Sequence, residues 1–98
     1  MPKLTRQEVR ASVDTEAKFS SKWDENRPAD DPGDAAKSVE TWLAYIHVYL
    51  EAALKAATVG YDKTAALQNL RCILNLGEAC AQHHGLPPRA EGDSTDIY

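Results

Sequence analysis

Several side chains in this 98-residue chain are of types that can do chemistry, and they stand at helical spacings. Glu40, His47 and Glu51 lie along one stripe of a predicted helix. His47 and Glu51 are an i, i+4 pair, able either to share a metal ion or to pair with each other as a helix-edge ion pair. His83 and His84 are adjacent, so their side chains diverge by roughly 100° and cannot readily share one ion; cationic charge at a helix C-terminus is favourable in itself. Tyr45 and Tyr49 are i, i+4 neighbours beside an apolar stripe, with Tyr61, Lys63 and Arg71 further along. Rings near cations can sandwich a base and hold its phosphate, or anchor a protein partner. The competing reading is that the tyrosines pack with their hydroxyls in water. Nucleophilic catalysis finds no motif: there is no G-x-S-x-G and no phosphate-cradling glycine loop, and neither cysteine opens a helix or adjoins a histidine.

The elements that must position these groups are helical. Thr5 and Glu8 make a T-x-x-E capping box flanked by Leu4 and Val9, the positions of a hydrophobic staple. Val9, Val13 and Ala17 then repeat every four residues, with Phe19 and Trp23 extending the stripe, which predicts a helix over 6–22. An acidic stretch with two prolines follows over 24–34; its expected role is a linker whose last acid, Asp34, caps the next helix. The alternative is an acidic contact surface for a basic partner. Val39, Trp42, Leu43, Ile46, Leu50, Ala53, Leu54 and Ala57 keep three-and-four spacing through a helix over 35–59 that Gly60 closes. Asp62 caps a third helix over 62–84, and so short a connection makes the two antiparallel neighbours. In that third helix Ala66, Leu70, Ile73, Gly77 and Cys80 form one apolar face. Cys72, Leu76 and Ala79 carry it almost around. A helix apolar on most sides must be covered on most sides, so a dimer or larger is expected, with Cys72 and Leu76 at the interface. Gly85 and Pro87-Pro88 stop the helix, Leu86 is placed to fold back on its last turn, and residues 86–98 read as a polar, mobile tail.

The whole is thus read as one all-α domain of three helices: a long antiparallel hairpin with an N-terminal helix packed on it. A net charge of −4 lacks the basic face that nucleic-acid polymers require. No apolar run reaches the roughly 20 residues of a membrane span. Cys72 and Cys80, eight residues apart on one helix, stand about 12 Å apart, beyond disulfide reach. They read as small buried side chains in a reducing, cytoplasmic setting.

The segments VRASVDTEAKFSSKWDENRPADD, KSVETWLAYIHVYLEAALKAA and KTAALQNLRCILNLGEACAQHHGLPPR together resemble small phage and prophage proteins related to MazG-like nucleotide pyrophosphatases. The likeness runs from about Val9 to Arg89. It rests on a leading helix ending in Lys-Trp, a linker, a Trp-bearing helix, and a small-residue-rich helix ending in His-Gly-x-Pro. It implies an oligomeric all-α scaffold whose active members split nucleoside triphosphates with magnesium, and for a phage-encoded chain it implies the host cytoplasm. That chemistry needs paired acids on two successive helices, because two hard cations must be held on the triphosphate. The chain departs from the pattern. Val48 and Leu54 stand where a partner for Glu51 is required, and Asn75 and Ala81 where one for Glu78 is required. The expectation is therefore a non-catalytic helical oligomer, without cofactor, that binds a host protein or a nucleotide. One alternative is a magnesium-dependent pyrophosphatase reduced to a site of Glu40, Glu51 and Glu78 shared between subunits. Another is a purely structural oligomer.

Overall fold

The computed structural model describes residues 3–25 and 33–90, and among these all the regular structure is helical, with no strand. Helix α1 spans Arg6–Glu25, α2 Val39–Thr58 and α3 Lys63–His84. A single 3-10 turn, Asp34–Ala36, precedes α2.

The capping chemistry explains most of the boundaries. Thr5 N–H donates to Glu8 Oε1 at 3.0 Å and Glu8 N–H to Thr5 Oγ1 at 3.1 Å, a closed capping box. Asp62 Oδ1 accepts from the Ala65 amide at 3.0 Å and starts α3. Gly85, at φ 91°, ends that helix in a conformation open to glycine, its amide donating to the Ala81 carbonyl at 2.8 Å.

Three boundaries differ from the sequence expectation. Helix α1 runs on to Glu25 instead of stopping at 22, because nothing before the Arg27-Pro28 pair interrupts its hydrogen-bond ladder. The cap of α2 is Ser38, whose Oγ accepts from the Thr41 amide at 3.2 Å, and not Asp34. Lys37 is extended at φ −77°, ψ 131°, which separates the short turn from the helix. Asp34 instead takes the Lys37 ammonium at 2.6 Å. Between α2 and α3 the left-handed residue is Tyr61, at φ 50°, and not Gly60. Residues 26–32 of the expected linker, residues 91–98 of the expected tail and the side chain of Trp23 lie outside the described residues.

The hairpin is antiparallel: the start of α2 lies at the end of α3, with Trp42 stacked on His83 at 6.0 Å between ring centroids. His84 Nε2 donates to the Lys37 carbonyl at 2.8 Å across the same end. Helix α1 packs on α3 and runs parallel to it, since Glu16 meets Arg71 and Ser20 meets Asn75 at the same sequence offset. The inward line of α1 is Val9, Val13, Glu16 and Ser20; Ala17 and Phe19, expected on that stripe, are exposed. Helix α3 is therefore the central element, with α2 on one side and α1 on another. Even so, among the described residues only Val13 and Trp42 are buried. No helix among them is long and apolar enough to cross a membrane.

Candidate functional site

The sparse core leaves apolar side chains on the surface, and they are ordered. On α2, Val39, Leu43, Ile46, Leu50, Ala53 and Ala57 follow alternating steps of four and three. On α3, Leu67, Leu70, Leu74, Gly77 and Ala81 follow steps of three and four. Both series have the 3.5-residue period of a coiled-coil seam. In an ordinary bundle such residues are covered. Here Leu43 is 55 % exposed, Leu50 52 % and Leu67 47 %, with Val39, Leu70 and Leu74 also open to solvent. An open groove of about 650 Å³ lies along α3, lined by Ile73, Leu74, Gly77, Glu78 and Ala81, with Ile46 from α2 and Leu86 from beyond the helix. Leu86 thus returns toward the last turn of α3, as its position after Gly85 leads one to expect. A second groove, smaller at about 400 Å³ and more enclosed, separates α3 from α1. Leu4, Val9 and Val13 line it on one side, Leu67, Leu70 and Arg71 on the other. The α3 leucines form the ridge between the two.

Gly77 is the odd residue of this face. A Cβ built there meets no atom within 4 Å, so packing inside the chain does not ask for glycine. Glycine within a helix is nevertheless about 1 kcal/mol less favourable than alanine.

The residues singled out by sequence are dispersed. Neither groove is lined by Tyr45, Tyr49, Tyr61 or Lys63. Tyr45 lies at the far end of the hairpin, its ring centroid 5.5 Å from the Lys37 ammonium. Tyr61 and Lys63 stand at the turn, about 24 Å away along the axis at 1.5 Å per residue. Arg71 is engaged inside the fold, its Nε donating to Glu16 Oε1 at 2.7 Å.

The metal candidates are likewise apart. His47 Nε2 and Glu51 Oε1 are 2.9 Å from each other on the exposed flank of α2, the helix-edge pair. Glu40 is on the same flank and Glu78 borders the groove from α3. Among the described residues no group of three or more His, Cys, Asp or Glu side chains is placed to hold a metal ion.

Cys72 and Leu76 are both half-buried. Burial pushes the Cys72 thiol above its usual range, and the carboxylate of Glu16 on α1 pushes it further. Cys72 therefore belongs to the α1–α3 contact, and the solvent-open leucines of α3 are Leu67, Leu70 and Leu74, one quarter-turn and more away.

A cluster at the hairpin's open end was not anticipated. Trp42 is 2 % exposed, His83 stacks on it, and the Lys37 ammonium lies 4.9 Å from its ring centroid while paired with Asp34. The charge of His83 near a helix end had seemed a sufficient role for it; its contact with Trp42 shows that it seals the only buried aromatic ring among the described residues. The Trp42 indole N–H has no hydrogen-bond partner among the described residues.

Comparison with protein-family models, with curated proteins and with solved structures returned no match.

Proposed function

We propose that this chain is a small phage-type helical oligomer on a MazG-like scaffold that works by non-catalytic binding, sequestering or blocking a host protein or a nucleotide. The observation that supports this reading is the two-helix apolar face. Monomeric domains rarely leave a contiguous apolar patch of several hundred Å² in water, and patches of that size mark interaction surfaces. On this reading the chain acts in the host cytoplasm and needs no cofactor. Magnesium with a panel of nucleoside triphosphates is expected to release no pyrophosphate, and a clear magnesium-dependent release would overturn the reading.

One observation favours a second reading. Glu78 borders the groove on α3, while Glu40 and Glu51 flank the same face on α2. A neighbouring subunit on that face brings acids of two chains near one another, the arrangement that a reduced magnesium-dependent pyrophosphatase requires. Glu51→Gln separates the two readings: turnover that exists and disappears in this variant supports the enzyme, whereas the binding protein has no turnover to lose.

A further inference from the structure

The ammonium of Lys37 has three neighbours of a particular kind. The Trp42 ring centroid lies 4.9 Å from it, the Tyr45 ring centroid 5.5 Å and Asp34 Oδ1 2.6 Å. Aromatic rings within about 6 Å of a cation are the means by which proteins hold organic ammonium ions. The rings offer the negative faces of their quadrupoles, and the carboxylate offers a full charge. Here the chain fills that receptor with its own lysine. None of the four residues lines either groove, so the site is separate from the two-helix apolar face.

We infer that this end of the hairpin is a binding site for a methylated ammonium group, and that Lys37 is the internal occupant which the ligand displaces. The group is carried either by a small choline-like molecule or by a methylated lysine side chain.

Three observations carry this beyond an ordinary ion pair. First, the Lys37 side chain can leave while its backbone stays. The Lys37 amide donates to the Asp34 carbonyl at 3.1 Å, and His84 Nε2 donates to the Lys37 carbonyl at 2.8 Å. The side chain is a flexible four-carbon stem. Its head and the Asp34 carboxylate are 26 % and 27 % exposed, and a pair that water reaches opens at small cost. Swinging the stem outward bares the parts of both rings that the ammonium covers.

Second, the walls of the receptor are built in advance. Trp42 is 2 % exposed and stacks on His83 with 18° between the ring planes. Tyr45 stands three residues further along the same helix, so one rigid backbone carries both rings. A ligand that enters such a site has little left to order.

Third, the charge favours a cation. Between Asp24 and Glu40 the sequence carries six acids and two bases, and this stretch alone equals the net charge of −4 of the whole chain. An acidic field of this kind concentrates cations near the site. The acidic contact surface considered for this stretch thus acquires a specific chemistry at Asp34. A primary ammonium gains nothing over Lys37, which is tethered in place. A methylated ammonium gives up less hydration than a lysine head and meets the rings over a larger surface, so it is the cation able to win the exchange.

The test follows the Trp42 indole N–H by isotope-edited NMR, with its signal assigned against Trp23→Phe. Tetramethylammonium chloride is added to the full chain, with sodium chloride as the salt control. Lys37→Ala empties the receptor and is expected to bind tetramethylammonium at least about tenfold more tightly than the parent. That is the gain if Lys37 leaves the site open no more than about one-tenth of the time. Lys37→Gln, which keeps most of the stem and drops the charge, should gain in the same direction and stands in if Lys37→Ala does not fold. Adding Tyr45→Ala should abolish the gain, and adding Asp34→Asn should reduce it. Choline should bind as tetramethylammonium does, whereas its uncharged tert-butyl isostere should not. Lys37 variants that bind no more tightly than the parent overturn the proposal. So does a gain that survives Tyr45→Ala, or an isostere that binds as well as choline. A peptide bearing trimethyllysine then separates the sources. Binding at least about tenfold tighter than choline assigns the site to a protein side chain, and equal binding assigns it to a small molecule; either result supports the receptor.

Discussion

Tyr61 holds a left-handed backbone conformation at φ 50°, and its ring is 87 % exposed. An L-residue there is disfavoured by about 1–2 kcal/mol, and the ring recovers little of that by burial. Glycine at this position removes the strain but loosens the unfolded chain, so Tyr61→Gly should stabilise the protein by up to about 1 kcal/mol in urea unfolding. A loss of stability instead would mean that the tyrosine makes contacts that outweigh its backbone. Trp42 poses the opposite case. Its ring is buried under His83, yet its N–H has no partner among the described residues, a deficit of about 1–3 kcal/mol. Trp42→Ala is therefore expected to be destabilising by about 3–5 kcal/mol, whereas Trp42→Phe, which removes the orphaned donor, should be much milder. His83→Ala, which uncovers the ring, should fall between them. Comparable losses for Trp42→Phe and Trp42→Ala would show that the indole N–H has a partner. The sequence marked Trp42 as a core position by its spacing, but His83 is 41 residues away and no local pattern connects them.

The helices themselves were the most legible part, because helix starts and stops are written in short-range chemistry. The Thr5–Glu8 box, the Asp62 cap and the Gly85 stop all depend on residues within four positions of each other. The misread boundary, Asp34 for Ser38, arose where two good capping residues lie four apart and the extended backbone of Lys37 decides between them. Hydrogen bonds from Thr5 hold the Glu8 carboxyl below its ordinary value of 4.5. A depressed carboxylate contributes stability that is present above the unfolded value and lost as pH falls through the folded one. The capping-box contribution to α1 should thus persist at neutral pH and fade below about pH 4.5. Glu8→Ala should weaken α1 at pH 7, and by less at pH 3, where more of the parent's Glu8 carboxyl is protonated. Amide exchange in residues 6–9, followed at both pH values, reads the difference. Equal effects at the two pH values would detach Glu8 from the cap.

At the scale of the whole molecule, the extent of apolar surface on α3 was legible. What could not be read was how the two available partners divide that surface. The period of α3 names apolar positions on nearly every side, and only tertiary contact shows that α1 takes Arg71, Cys72 and Asn75 while the leucine ridge stays open. That division can be tested at Cys72. Its thiol is raised above 9.0, first by burial and then by Glu16, while Arg71 pulls the other way. A raised thiol contributes stability below its unfolded value and loses it as pH climbs through the folded one, so the α1–α3 contact should weaken in alkaline solution. Glu16→Gln removes the negative charge and releases Arg71 from its 2.7 Å hydrogen bond. Both changes favour the thiolate. In a Cys80→Ser background, where Cys72 alone reports, alkylation by iodoacetamide at pH 8 should be slow for the parent and faster for Glu16→Gln, because thiolate is the reacting form. A helix that docks chiefly by this pair and Val13 should also loosen when the pair is broken, exposing the sulfur and adding to the acceleration. If the two proteins react at the same rate, and that rate equals the rate in urea, α1 is not docked on α3 in solution and the second side of the central helix is open as well.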